Sequence, residues 1–284
     1  MARFDTIVGK YIYLKIQGIE YRVYFEENGK GIPMLCQHTA GKSCQEWSHL
    51  LNDKEITAKY RVIAADLPYH GKSNPPESVE WWKQEYKLTK SFFMDFHMEL
   101  SHALGLEKPV YIGSSIGGFL APDLALEHPD EFRAVIGVEA ASKAGLYTRN
   151  ISDHPQVGTE SVMARVMQLT GPASPEKYVH QVSWVASQCA SFIASGDLYY
   201  YFDHDLTVTA RQIDTSRVAV YFLTGEYDPS SSPDDTRKLA EQIKGAKFTE
   251  MKGLSHQAIS ENPEMFKKYL MPILNEIAMQ GKKK

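Results

Sequence analysis

Val110–Gly118 reads VYIGSSIGG, and this stretch decides the fold. Gly113, Ser115 and Gly117 form G-x-S-x-G, with a short apolar run before it and a helix-like run after it. The pattern predicts a serine held on a sharp strand-to-helix turn. Such a backbone is strained, and only very small neighbours let the chain pass so closely. The hydroxyl is pushed into the open, and the next N–H points back at whatever it attacks. Ser115 has glycine at both −2 and +2, whereas Ser114 does not.

Outward from the elbow, strand-like and helix-like runs alternate. Tyr11–Gln17 and Glu20–Glu26 flank Gly18 and read as a hairpin. Apolar runs at Ile32–Cys36, Tyr60–Asp66, Val110–Gly113, Phe132–Glu139 and Val218–Thr224 suit strands covered on both faces, and Lys247–Met251 reads as the last strand. Helices are expected around Cys44–Leu51, up to about Leu104 with Phe92, Phe96 and Leu100 on one face, and over Ile116–Glu127, Pro233–Lys244 and Pro263–Ala278. This alternation is that of a doubly wound α/β fold with a mostly parallel sheet. Residues 141–212 break the rhythm. They carry helix-like stretches (Ser161–Leu169, Pro175–Ile193) and the aromatic run Tyr199–Phe202, but no buried strand. The expected organisation is a core made of residues 1–140 and 213–284, with 141–212 inserted as a helical cap over the C-terminal edge of the sheet, where open α/β proteins bind ligands.

The 284 residues have ordinary apolar content, 43%, and a net charge of −4, which argues against nucleic acid or an anionic membrane surface as partner. No run approaches the ~18 apolar residues of a membrane-spanning helix, and MARFDTIVGKYIYLKI has no secretory h-region. Cys36, Cys44 and Cys189 lack metal-ligand spacing and fit reduced thiols, so a cytoplasmic, metal-free chain is expected. Lys282–Lys284 reads as a solvated terminus.

A serine nucleophile needs a base to take its proton, and the base needs a carboxylate to hold its tautomer. Downstream of Ser115, Asp228 closes VAVYFLTGEYD and His256 lies in KGLSHQ, each just past a predicted strand. The order nucleophile, acid, base is that expected of a G-x-S-x-G protein. Glu139, which ends AVIGVE, is the alternative acid.

With LCQHTAG after the third strand, DLPYHGKS after the fourth, GSSIGG after the fifth, GEYDP after the seventh and GLSH after the eighth, the chain resembles the α/β-hydrolase superfamily over almost its full length. The resemblance implies an eight-stranded sheet, Ser115 as nucleophile, His256 as general base and acid, Asp228 as orienting carboxylate, and no cofactor. It also implies an oxyanion hole made by the N–H of Ile116 and one from the turn at Thr39 and Ala40. Thr39 stands where many relatives have glycine after the histidine, which favours Ala40 as the second donor and leaves Thr39 its hydroxyl to offer. His38, which also braces that turn, and Trp184, Tyr199 and Tyr201 are the candidate substrate contacts. The expected partner is a small or medium acyl compound, most simply an apolar or aromatic carboxylic ester. Carbon–carbon bond, lactone and amide hydrolysis use the same triad, whereas serine at 115 excludes chemistry that needs a carboxylate nucleophile. Five Lys/Arg (Lys143, Arg149, Arg165, Lys177, Arg211) against six Asp/Glu in 141–212 give no basic patch for coenzyme A phosphates. A ligand receptor on a hydrolase scaffold is the reading from another class, since fold does not settle function. The sequence does not disclose the oligomeric state.

Overall fold

The computed structural model describes residues 2, 4–145 and 151–280, so the tail Lys282–Lys284 and Arg149 lie outside the described residues. Eight strands form one sheet: β1 (Val8–Ile16), β2 (Ile19–Asn28), β3 (Ile32–Gln37), β4 (Tyr60–Ala65), β5 (Val110–Ser114), β6 (Ala134–Val138), β7 (Ala219–Gly225) and β8 (Lys247–Met251). Their order is β1-β2-β4-β3-β5-β6-β7-β8. The β1–β2 hairpin is antiparallel and β2 joins β4 antiparallel, while all pairings from β4 to β8 are parallel.

Eleven α-helices are seen among the described residues. Before β6 come α1 (Ser48–Leu51), α2 (Lys54–Thr57), α3 (Lys90–Ala103) and α4 (Ile116–Glu127). Between β6 and β7 lie α5 (Gly158–Gln168), α6 (Glu176–Ala186), α7 (Ile193–Leu198) and α8 (Tyr200–Asp203). The remainder are α9 (Pro233–Gln242), α10 (Ala258–Glu261) and α11 (Pro263–Gln280). None is long and apolar enough to cross a membrane.

The near-continuous apolar strands are explained by burial on both faces. Tyr111, Val135 and Phe222 pack with Phe93, Phe96 and Phe119 on one side of the sheet. Val110, Ile112 and Ile136 face the opposite way, toward Trp47, Phe266 and Leu270. Helix α4 sits so close to the sheet that a Cβ on Gly118 would meet the Val138 carbonyl oxygen, and one on Gly113 would meet the backbone of Gly117. That contact fixes where the turn at Ser115 stands. Two expected helices are broken: Cys44–Leu51 begins as a 3-10 turn at Cys44–Trp47, and Pro175–Ile193 ends at Ala186, before α7 begins at Ile193.

The segment from α7 to α8 is tied down by buried polar groups. Tyr200 and His204 both bond to the Asp123 carboxylate of α4, and His204 also reaches the Ala141 carbonyl. A buried acid amid the apolar residues of α4 thereby anchors the segment above the sheet.

Candidate active site

Ser115 lies between β5 and α4 with φ 52° and ψ −114°, a conformation that costs a non-glycine residue energy and is held here by the packing of Gly113 and Gly118. Its N–H donates to Val138. Its Oγ is 3.0 Å from His256 Nε2, and His256 Nδ1 stands 3.0 and 2.9 Å from the two Asp228 oxygens. Since the carboxylate accepts only, Nδ1 carries the proton and Nε2 is the acceptor for the serine hydroxyl. The three residues belong to loops after β5, β8 and β7, so the parallel sheet brings them to one edge.

Asp228 and Glu139 both approach His256. Asp228 Oδ1 accepts the N–H groups of Ser230 at 2.7 Å and Ser231 at 3.0 Å, which fix the carboxylate in place. Glu139 stands 4.0 Å from Nδ1, receives the Ser114 hydroxyl at 3.1 Å, and is fully buried. Burial pushes its carboxyl well above the usual range, which favours the neutral form, while the His256 ring opposes this. For His256, burial acts to lower the pKa, but the Asp228 carboxylate, with Glu139 beside it, outweighs it and raises the group to about 9.

Near the oxyanion turn the structure separates the candidates. The Thr39 N–H donates to Glu46 Oε2 at 2.7 Å, so this donor is already spent. Glu46 in turn receives the buried Lys42 ammonium at 2.9 Å, and Lys42 also bonds to Gln257, next to the catalytic-candidate histidine. The Gly41 N–H donates to Asp197 Oδ2 at 2.8 Å. Ala40, between them, and Ile116, at the first turn of α4, donate to no acceptor among the described residues. His38 is buried, with Nδ1 at 2.8 Å from the Thr39 carbonyl and Nε2 accepting the Leu67 N–H. Burial pushes its pKa down to about 3, so it is a neutral brace of the turn.

The other candidates part company on helix geometry. Tyr201 brings its hydroxyl to 3.5 Å from Ser115 Oγ. Tyr199, two residues earlier, projects from the opposite face and lines a different cavity. Trp184 is 67% exposed on α6.

Asp197, Tyr86, Lys42 and Glu46 are residues that sequence reading missed. Asp197 is wholly buried and joins three segments: it accepts Gly41 N–H, His70 Nε2 at 2.8 Å and the Tyr86 hydroxyl at 2.8 Å. His70 Nδ1 meets the Pro68 carbonyl at 3.0 Å, so both ring nitrogens face acceptors and the ring is an imidazolium. Its pKa is raised; burial opposes this, and the Asp197 carboxylate prevails. A lone acid in the apolar run IASGDLYY is the signal that could have marked Asp197.

Glu139, Asp228 and His256 also lie close enough for a metal-ligand set. The hydrogen bonds of His256 to Asp228 and Ser115 already use both ring nitrogens, which fits a proton relay better than a cation.

Comparison with known proteins agrees with this architecture. A family model described as alpha/beta hydrolase fold matches residues 32–169. Mouse (Mus musculus) epoxide hydrolase 4 is 27% identical over 167 residues, covering 58% of this chain and 41% of that protein. A 2-hydroxymuconate semialdehyde hydrolase from Pseudomonas sp. (strain CF600) is 27% identical over 116 residues, 40% of this chain and 38% of that protein. The chain thus matches less than half the length of each. Among solved structures, a thermophilic esterase from Thermogutta terrifontis superposes with a TM-score of 0.78 at 18% identity, covering 95% of this chain and 99% of that one.

Proposed function

The chain belongs to the α/β-hydrolase superfamily, and from that premise we propose that it is a serine hydrolase cleaving a small to medium, apolar or aromatic carboxylic ester through an acyl-enzyme. One observation carries the reading: the unbroken line Ser115 Oγ, His256, Asp228, with contacts of 3.0 and 2.9 Å and the serine on a strained turn.

In this reading, Ser115 Oγ attacks the ester carbonyl while His256 Nε2 takes the hydroxyl proton. Asp228 holds the tautomer and stabilises the imidazolium. The N–H groups of Ile116 and Ala40 receive the oxyanion, helped by the positive end of α4; losing one such donor costs on the order of 10² to 10³ in turnover. The imidazolium then protonates the leaving alkoxide. Water, activated by the same nitrogen, releases the acid and restores Ser115. Thr39 has no N–H to give. Tyr201 borders the nucleophile, and residues 141–212 act as the cap that closes over it. Because the base must be neutral, kcat/KM rises with pH until His256 has lost its proton near pH 9.

The names of the relatives support hydrolysis. One is called an esterase and another a semialdehyde hydrolase, so a substrate panel should include β-diketones and lactones beside esters. For the relatives called epoxide hydrolases, the side chain at the elbow is the point to compare, since Ser115 supplies an alkoxide and not a carboxylate. A fluorophosphonate should label Ser115 and abolish hydrolysis of a short p-nitrophenyl ester. Folded protein that shows neither labelling nor turnover would be a receptor on this scaffold and not an enzyme.

A further inference from the structure

A cavity of about 770 Å³ lies between the loop before α3 and helices α7 and α8. Ser115, His256, Ala40, Ile116 and Tyr201 are all absent from its lining. Helix periodicity explains the separation. Ala194, Asp197 and Tyr201 face Gly41, His70 and Ser115, whereas Phe192, Ser195, Gly196, Tyr199 and Phe202 share the other face and line the cavity. One helical segment therefore divides two sites.

We propose that this cavity binds a neutral aromatic small molecule carrying a hydrogen-bond acceptor, independently of the serine site. Its size falls within the roughly 300–1,000 Å³ of small-molecule pockets, and its walls are rings. Tyr69 meets Trp81 edge-on at 6.3 Å and Tyr86 at 4.8 Å, and Tyr199 meets Phe202 at 5.5 Å. Faces and edges at mixed angles suit a planar guest, which gains offset or edge-to-face contacts on several sides.

Three further features specify the guest. Tyr21 and Tyr69 both line the cavity, and neither hydroxyl donates to an acceptor among the described residues. Burial, with Tyr69 nearby, pushes Tyr21 up to about 12, so it stays a neutral donor. Tyr69 is held at φ 74°, a left-handed conformation that a bulky residue adopts only when its surroundings require it. The Lys87 ammonium lies 5.2 Å from the Tyr199 ring centre and 3.1 Å from Glu85. Glu85 and Asp153 line the cavity beside Lys87, so its wall carries both signs of charge: a cation meets the ammonium and an anion meets the carboxylates. A neutral ring remains.

Calorimetric titration of the full chain with 2-naphthol tests this. One saturable site is expected, with Ser115→Ala binding as tightly as the unaltered protein. Trp81→Ala and Phe202→Ala truncate half-exposed and exposed rings, so the core is untouched; each should weaken binding about tenfold or more. Cyclohexanol and choline should also bind at least about tenfold more weakly. No saturable binding, equal affinity for cyclohexanol, a preference for choline, or loss in Ser115→Ala with retention in Trp81→Ala would each overturn the proposal. These results are separate from the hydrolase reading, because the Ser115→Ala protein has no nucleophile.

Discussion

The loops after β6 and β7 each deliver a carboxylate to His256, Glu139 at 4.0 Å and Asp228 at 2.9 Å. Both are buried and both follow parallel strands. The difference lies in what else touches them. Two backbone N–H groups converge on Asp228, whereas Glu139 has a serine hydroxyl and a longer 3.4 Å contact from the Ala258 N–H. For Glu139, burial outweighs its donors and pushes the carboxyl up. Asp228, nearer the ring and with the shorter donor contacts, can orient and stabilise an imidazolium; Glu139 packs behind it.

Exchange of each acid for its amide turns that contrast into rates. Asp228→Asn should lower kcat on the order of 10⁴-fold, because the amide favours the wrong histidine tautomer. Glu139→Gln should stay within about threefold, as a neutral group replaces a neutral group. If the two outcomes are exchanged, the loop after β6 supplies the acid. Stopped-flow or steady-state ester assays decide it.

Between these extremes stands Asp197→Asn. It weakens the hold on the Gly41 N–H and the His70 imidazolium, and so loosens the turn that carries Ala40. A fall in kcat of roughly 10- to 100-fold with KM little changed is expected, less than removal of a donor outright. An unchanged kcat would mean that the oxyanion turn holds its shape without this clamp.

The smallest effect is on stability. Glu139 has a folded-state pKa above its ordinary value of 4.5, so its contribution is complete below that pH and is lost as pH rises toward the folded value. Glu139→Gln removes this dependence. Between pH 5 and 9 the melting temperature of the unaltered protein should fall more than that of the variant. Parallel curves would show that Glu139 is charged in the fold.

Much of this was legible in the sequence wherever local chemistry governs. The elbow reads directly, because strand Val110–Ser114 and helix Ile116–Glu127 leave one residue, Ser115, to make the turn between them. Strand Lys247–Met251 carries the expected bounds. Legibility ends where partners are distant in the chain. Asp197 and His70 are 127 residues apart, and no periodicity links them. That Tyr201 turns toward the serine while Tyr199 turns away depends on how the segment is anchored through Asp123, a tertiary fact. Likewise the bond from Thr39 N–H to Glu46, seven residues on, is one that residue type alone does not reveal.

The central claim is that Ser115 becomes acylated during turnover. Rapid quenching of the protein with p-nitrophenyl acetate, followed by peptide mass analysis, tests it most directly. The account predicts one acetyl group on the peptide containing Ser115, and none on that peptide in Ser115→Ala. Turnover at an undiminished rate in Ser115→Ala, or an acetyl group only on another residue, would contradict it.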